Sequence, residues 1–136
     1  METNKPILLV EDDQIDVLTI KRGFEKLDVK NPLVVFRHGV EAMDYLLYTD
    51  KDNLPTLILL DLNLPEMNGF EFLETIKSHP TMKRIPVVVI TTSNNEVDKV
   101  LCYNLNVSGY FVKPIDYFTL LESIMKYWKY CEIPPL

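Results

Sequence analysis

The sequence predicts an α/β domain: one parallel sheet covered by helices on both faces. Three observations carry this. Five short apolar runs recur along the chain, and the stretches between them repeat their apolar residues at helical spacing. The runs themselves lack the polar alternation of a half-solvated strand, as expected where helices cover both sides. Strict strand-helix alternation with right-handed crossovers then distributes the helices over both faces of one sheet.

The first run, Ile7 to Val10, is followed by a stripe of Val17, Ile20, Phe24 and Leu27. Leu33 to Phe36 is the second, with Val40, Met43 and Leu47 after it. Leu57 to Leu60 is the third, followed by Phe70, Leu73 and Ile76. Val87 to Ile90 leads into Val97, Leu101 and Leu105, and Tyr110 to Val112 into Phe118, Leu121, Met125 and Trp128. Each stripe keeps the three-or-four spacing of a helix with one buried face. Punctuation agrees: Asn31-Pro32, Leu54-Pro55 and Ile85-Pro86 precede strands, where the missing N–H is tolerated, and Asn68-Gly69 and Ser108-Gly109 fall at loop positions. Residues 132–136, with Pro134-Pro135, are expected to leave the domain as a short tail.

A length of 136 residues fits one domain with a core that needs neither disulfide nor structural metal. The formal net charge of −6 argues against nucleic acid as a partner, since phosphate backbones require clustered Lys and Arg. Cys102 and Cys131 share no metal-site or redox spacing with each other or with His38 and His79. No run is long enough for a membrane span, and the first stops at acidic residues, so a cytoplasmic protein is expected. Asn106-Val107-Ser108 is then a chance match to the glycosylation pattern.

Ligands of open parallel sheets bind at the carboxyl ends of the strands. There the sequence places Glu11, Asp12 and Asp13 after the first run, Asp61 after the third, Thr91, Thr92 and Ser93 after the fourth, and Lys113 after the fifth. Two carboxylates about 4 Å apart repel by about 4 kcal/mol at an effective dielectric near 20. Gathering Glu11, Asp12 and Asp61 therefore calls for a cation, and Lys113 offsets only part of the charge. Mg²⁺ suits the remainder, being an oxygen-seeking ion that takes one or two carboxylates and leaves room for phosphate oxygen. A carboxylate beside a bound cation, an ammonium and a hydroxyl is arranged for phosphoryl transfer, with Asp61 as nucleophile. Taken singly, these acids are also ordinary helix-capping residues; Asp16, on the first turn of the first helix, reads equally as a solvated acid or as a group of the site.

The motifs Val10-Glu11-Asp12, Leu60-Asp61-Leu62-Asn63-Leu64-Pro65 with Asn68-Gly69, Ile90-Thr91-Thr92 and Gly109-Tyr110-Phe111-Val112-Lys113-Pro114, in this order and spacing, resemble the receiver domain of two-component response regulators. The resemblance covers essentially the whole chain. It implies a flavodoxin-like (βα)₅ fold with strand order 2-1-3-4-5 and an Asp that takes a phosphoryl group from a histidine kinase or phosphotransfer protein. Position by position, Asp61 matches the phosphoacceptor and Glu11 and Asp12 the pair that holds Mg²⁺, to which Asn63 would add its backbone carbonyl. Thr91 matches the hydroxyl residue that turns toward the phosphoryl group, Lys113 the lysine that pairs with it, and Tyr110 the aromatic switch residue. The bond between Lys113 and Pro114 is implied to be cis.

Leu64 replaces a frequent Met, and Thr92 stands where Ala or Gly is usual, which predicts a long-lived phosphoryl group. Glu11-Asp12, Asp16, the segment from His38 through Tyr48 to Pro55, Thr91-Thr92-Ser93 and the Trp128-to-Pro134 ending are similar to stand-alone regulators of the cyanobacterial phytochrome type. That implies a sensor kinase, light-sensing or hybrid, as donor. On the last helix, Leu120, Ile124, Tyr127 and Cys131 widen the apolar face, and with Tyr130, Ile133 and Leu136 they form either a patch for a homodimer or partner, or a surface that the tail covers. Competing classes fit less well. A phosphatase of the haloacid dehalogenase type needs a second Asp where Asn63 stands, a flavodoxin needs a phosphate cradle where the acids lie, and an unphosphorylated adaptor has little use for Asp61, Thr91 and Lys113 together.

Overall fold

The computed structural model describes residues 5–127. In chain order the elements are β1 (Ile7–Val10), α1 (Gln14–Lys26), β2 (Leu33–Phe36), α2 (Gly39–Tyr48), β3 (Leu57–Leu60), α3 (Gly69–Ser78), β4 (Val87–Thr91), α4 (Glu96–Asn104), β5 (Gly109–Val112) and α5 (Tyr117–Tyr127), with single 3₁₀ turns at Lys51–Asn53 and Met82–Arg84. All five strands pair in parallel, in the order β2-β1-β3-β4-β5. This is the expected doubly wound (βα)₅ topology.

The sheet divides the core in two because successive side chains of a strand point to opposite faces. Leu8, Val10, Ile58, Leu60, Val87 and Val89 meet Ala42, Met43 and Leu46 of α2, Phe72, Leu73 and Ile76 of α3, and Cys102 of α4. On the other face Ile7, Leu9, Leu57, Leu59, Val88 and Ile90 meet Ile20 and Phe24 of α1 and Leu120, Leu121 and Ile124 of α5. β1, β3 and β4 are buried along their whole length. Edge strand β2 is half-buried throughout, as a strand with one neighbour should be.

Three expected helix faces are rotated. On α2, Val40 and Leu47 point to solvent, and on α4, Val97 and Leu101 are 63% and 47% exposed while Cys102 is fully buried. On α5, Phe118 lies outward with the Lys26 ammonium 5.3 Å from its ring centroid, and Leu120 and Ile124 are fully buried. Leu120 and Ile124 therefore belong to the core and contribute nothing to an outward patch. The physical reason is common to all three helices: where apolar residues fill two adjacent stripes, spacing alone does not decide which stripe meets the sheet. Trp128, Tyr130, Cys131, Ile133, Leu136 and the expected 132–136 tail lie outside the described residues.

Helix ends are fixed locally. Asp13 caps α1 by accepting from the N–H groups of Ile15 and Asp16, Asn68 caps α3 by accepting from Glu71, and Asn95 caps α4 by accepting from Val97. Asn68-Gly69, expected in a loop, thus forms the cap and first residue of α3, and Gly109 likewise begins β5. Asp28 and Asn106 follow α1 and α4 with φ of 57° and 62°, the left-handed turn that Asp and Asn tolerate.

Gly69 ties α3 to the end of β3. Its N–H donates to the Leu62 carbonyl at 2.9 Å, and a Cβ there would stand 2.4 Å from Leu62 Cα and 2.8 Å from the Asp61 carbonyl oxygen. Both are backbone atoms that cannot step aside. Gly69→Ala is expected to cost about 1–3 kcal/mol and to lower the thermal midpoint; a midpoint equal to that of the unmodified protein would show that the approach is looser than described.

Candidate functional site

The register of the central strands creates the site. Val10 is aligned with Leu60, so the next residues, Glu11 and Asp61, emerge side by side at the carboxyl edge. The Asp61 N–H donates to the Val10 carbonyl and the Glu11 N–H to Phe36, both at 3.0 Å, which locks the two backbones beyond the last strand residues. Thr91 ends β4 opposite Val112, and the Lys113 N–H donates to the Thr91 carbonyl at 2.7 Å. The Lys113-Pro114 peptide bond is cis. Four strand ends thus deliver their polar residues to one place.

Glu11, Asp61 and Thr91 are buried. The Lys113 ammonium donates to Glu11 Oε1 at 2.5 Å, to Asp16 Oδ2 at 2.8 Å and to Asp61 Oδ2 at 3.2 Å. An ammonium has three protons, and each has a different carboxylate. Carboxylate oxygens of Glu11, Asp12 and Asp61 all lie within 4.8 Å of one another.

The electrostatics of the cluster follow from burial and from this sharing of one ammonium. Glu11 is pushed up to about 7, first by burial and then by the neighbouring Asp61 charge, against the pull of Lys113. Lys113 is also raised, for a different reason: burial alone would lower it, yet its bonds to Asp16 and Glu11 outweigh that and hold it above its ordinary value. Three carboxylates share one ammonium and a fourth, Asp12, lies close to Glu11 and Asp61, so the site carries a negative excess beside the buried Glu11 and Asp61. A divalent, oxygen-seeking ion fits the donor set of Glu11, Asp12 and Asp61 on charge, hardness and spacing.

Around Asp61 the hydrogen bonds are specific. The Asn63 N–H donates to Asp61 Oδ1 at 3.1 Å, which orients the carboxylate, and the Asn63 side-chain amide donates to the hydroxyls of Thr91 at 3.3 Å and Thr92 at 2.9 Å. The Ser93 N–H also donates to the Thr91 hydroxyl, at 3.3 Å. Because these contacts use the lone pairs of Thr91, its own proton stays available for an acceptor at Asp61. Tyr110 is 7% exposed, and its hydroxyl donates to the Ser93 carbonyl at 2.9 Å. That makes it more buried than an edge-strand tyrosine need be. Burial chiefly, relieved by this bond, moves its hydroxyl above the ordinary tyrosine value.

The expected site residues Glu11, Asp12, Asp61, Asn63, Thr91, Tyr110 and Lys113 lie on this rim or bond to it, whereas Asp13, from the same strand end as Glu11 and Asp12, spends its carboxylate on the cap of α1. Sequence reasoning left Asp16 open and missed the Asn63 amide and the Ser93 carbonyl. Asp16 sits three residues after the cap Asp13, a spacing that ordinarily sends an acid back to the cap N–H. Here Glu11 Oε2 accepts that N–H instead, at 3.2 Å, and Asp16 is released to Lys113.

Comparison with known proteins gives a single answer. Residues 7–125 match the family model of the response regulator receiver domain. Response regulator Rcp1 of Synechocystis sp. is 40% identical over 135 residues, covering 93% of this chain and 92% of Rcp1. Probable methanogenesis regulatory protein FilR2 of Methanothrix harundinacea is 39% identical, covering 90% and 82%. Among solved structures, the phosphorylated cyanobacterial phytochrome response regulator RcpA superposes with a TM-score of 0.84 at 40% identity, covering 97% of this chain and 99% of RcpA. The Mn²⁺-bound form of Rcp1 superposes with a TM-score of 0.83 at 38% identity, covering 96% and 99%. The shared topology, the acidic rim and these matches agree that the chain belongs to the response regulator receiver domain family of two-component signalling.

Proposed function

We propose that this chain accepts a phosphoryl group onto the Asp61 carboxylate in a Mg²⁺-dependent reaction, from a sensor histidine kinase of phytochrome or hybrid type or from a histidine phosphotransfer protein. The observation that carries the reading is the convergence on buried Asp61 of two further carboxylates within 4.8 Å and an ammonium at 3.2 Å. Likeness to Rcp1 and RcpA supports the phytochrome-type donor, and the Mn²⁺-bound Rcp1 structure supports a divalent ion.

In this reading an Asp61 oxygen attacks the phosphorus of a phosphohistidine, the P–O bond forms as the P–N bond breaks, and the imidazole leaves with the electron pair. Glu11, Asp12, Asp61 and the Asn63 carbonyl would hold Mg²⁺, which when bound neutralises charge on the phosphoryl oxygens. Lys113 donates to one of those oxygens, and the Thr91 hydroxyl, with its proton unspent, donates to another. Tyr110, bonded to the Ser93 carbonyl two residues from Thr91, follows any movement of that segment.

Catalysis is confined to the chain's own phosphorylation and dephosphorylation, in the cytoplasm, within 1–136 acting as one receiver domain. Output is by docking or by a homodimer through the end of the last helix. Leu120 and Ile124 face the core and Tyr127 packs partly against it, so Leu120 and Ile124 contribute nothing to such a contact. A haloacid dehalogenase-type phosphatase is disfavoured because the residue two beyond Asp61 is Asn63, whose amide is engaged by Thr91 and Thr92.

Incubation with Mg²⁺ and acetyl phosphate is expected to add one phosphoryl group by intact mass, abolished in Asp61→Asn and by chelation. Undiminished labelling of Asp61→Asn would sink the reading.

A second expectation concerns pH. With its folded value raised from 4.5 to about 7, Glu11 binds its proton more tightly in the native state. Its contribution to stability without metal is therefore full at pH values below that of an unfolded glutamate, and is lost as pH rises through about 7. Mg²⁺ needs the ionised form. Melting curves should show a larger Mg²⁺-induced rise at pH 8 than at pH 5.5; equal rises would remove Glu11 from the metal site.

Thr92 is exposed beside the pocket, and its hydroxyl is fixed by Asn63. Thr92→Ala is expected to shorten the life of the phosphoryl group several-fold, measured as loss of label after the donor is removed. An unchanged lifetime would show that the threonine does not restrict water.

A further inference from the structure

Asp16 stands outside the trio of carboxylates suited to a metal, yet it takes one of the three protons of Lys113. The other two go to Glu11 and Asp61. Those are the groups that a bound cation would coordinate and that a phosphoryl group would modify. Their bonds to Lys113 are open to exchange, whereas the bond to Asp16 is called on by neither event. Asp16 is also well fixed: its N–H is held at 3.1 Å by the Asp13 cap, and its side chain is 20% exposed, against 10% for Lys113.

We propose that Asp16 is a positioning residue that anchors the Lys113 ammonium at the edge of the pocket while the bonds to Glu11 and Asp61 are exchanged for metal and phosphoryl contacts. Without that anchor the ammonium rests on Glu11 and Asp61 alone, where it competes with an incoming cation for the same oxygens. With it, the ammonium keeps a partner on α1 and remains within reach of a group on Asp61. Asp16 touches no reacting atom. Its effect on phosphoryl transfer passes through Lys113, and the inference rests on Lys113 being the cation that meets the phosphoryl group.

An acid in the first turn of a helix also favours the helix dipole, so the test must separate anchoring from charge. Three full-length variants do so. Asp16→Ala removes acceptor and charge, Asp16→Glu keeps both, and Asp13→Asn removes a charge from the same turn while keeping a side chain able to cap. The first readout is the nitrogen-15 NMR signal of the Lys113 ammonium in the Mg²⁺-free protein, assigned by its loss in Lys113→Arg. The second is the rate of labelling by acetyl phosphate across a Mg²⁺ titration, with thermal melting to verify folding.

The expected result is an ammonium signal in the unmodified protein that disappears in Asp16→Ala and returns in Asp16→Glu. Labelling of Asp16→Ala at saturating Mg²⁺ should slow about tenfold, the scale of one charge-assisted hydrogen bond, and half-saturation should move to higher Mg²⁺. Asp13→Asn should keep the signal and stay within about twofold of the unmodified rate, as an exposed charge does. The inference is overturned if the signal is missing from the unmodified protein, if it persists in Asp16→Ala, or if Asp13→Asn produces the same losses. Should the unmodified chain fail to label at all, the proposed function falls, while the ammonium signal still decides the role of Asp16.

Discussion

The parallel register of β1 against β3 is the constraint from which the rest of the site follows. It sets Glu11 beside Asp61 at the end of two fully buried strands, and hydrophobic burial on both faces of the sheet fixes that register strongly. The fold thereby forces together like charges that would separate in water. Lys113, delivered from the far edge of the sheet by β5, is the counter-ion that lets the metal-free chain tolerate the arrangement. The repulsion is reduced and not removed, and the remaining field is what makes the pocket attractive to a divalent cation and to the phosphoryl chemistry it supports.

Helix packing serves this arrangement. α1 begins two hydrogen bonds from the cluster, through the Asp13 cap and the Glu11 carboxylate that accepts the Asp13 N–H. α3 is fastened to the Asp61 loop by the backbone approach at Gly69. The groups of the site are therefore held by elements whose own termini are satisfied locally, and a carboxylate cluster needs that rigidity if it is not to splay apart.

Much of this was legible in the sequence, for identifiable reasons. Continuous apolar runs such as Leu57 to Leu60 and Val87 to Ile90 mark strands covered on both faces, and the residue after each run is at the functional edge by topology alone. Glu11, Asp61 and Lys113 could be found in that way. Asp16 could not be assigned, because its position fits a helix-capping acid and only the side-chain direction sends it to Lys113. Helix faces were legible where one stripe is apolar, as with Ile20 and Phe24 of α1. They were not where two stripes compete: Leu120 and Ile124 on α5 took the core that spacing also offered to Phe118, and on α4 Cys102 took the place offered to Leu101.

The single buried residue of α4 has a further meaning. α3 and α5 each commit four residues to the core, whereas α4 is held chiefly by Cys102 and by partly buried Leu105 after its end. Local opening free energies follow buried apolar contact, so among the described helices α4 has the shallowest energy well. It begins five residues after Thr91, and its Asp98 accepts from the Ser93 hydroxyl at 2.6 Å. A displacement of the Thr91–Ser93 segment would meet little resistance from this helix. The helix that gives way most readily is joined by one short hydrogen bond to the segment that follows β4, two residues beyond Thr91.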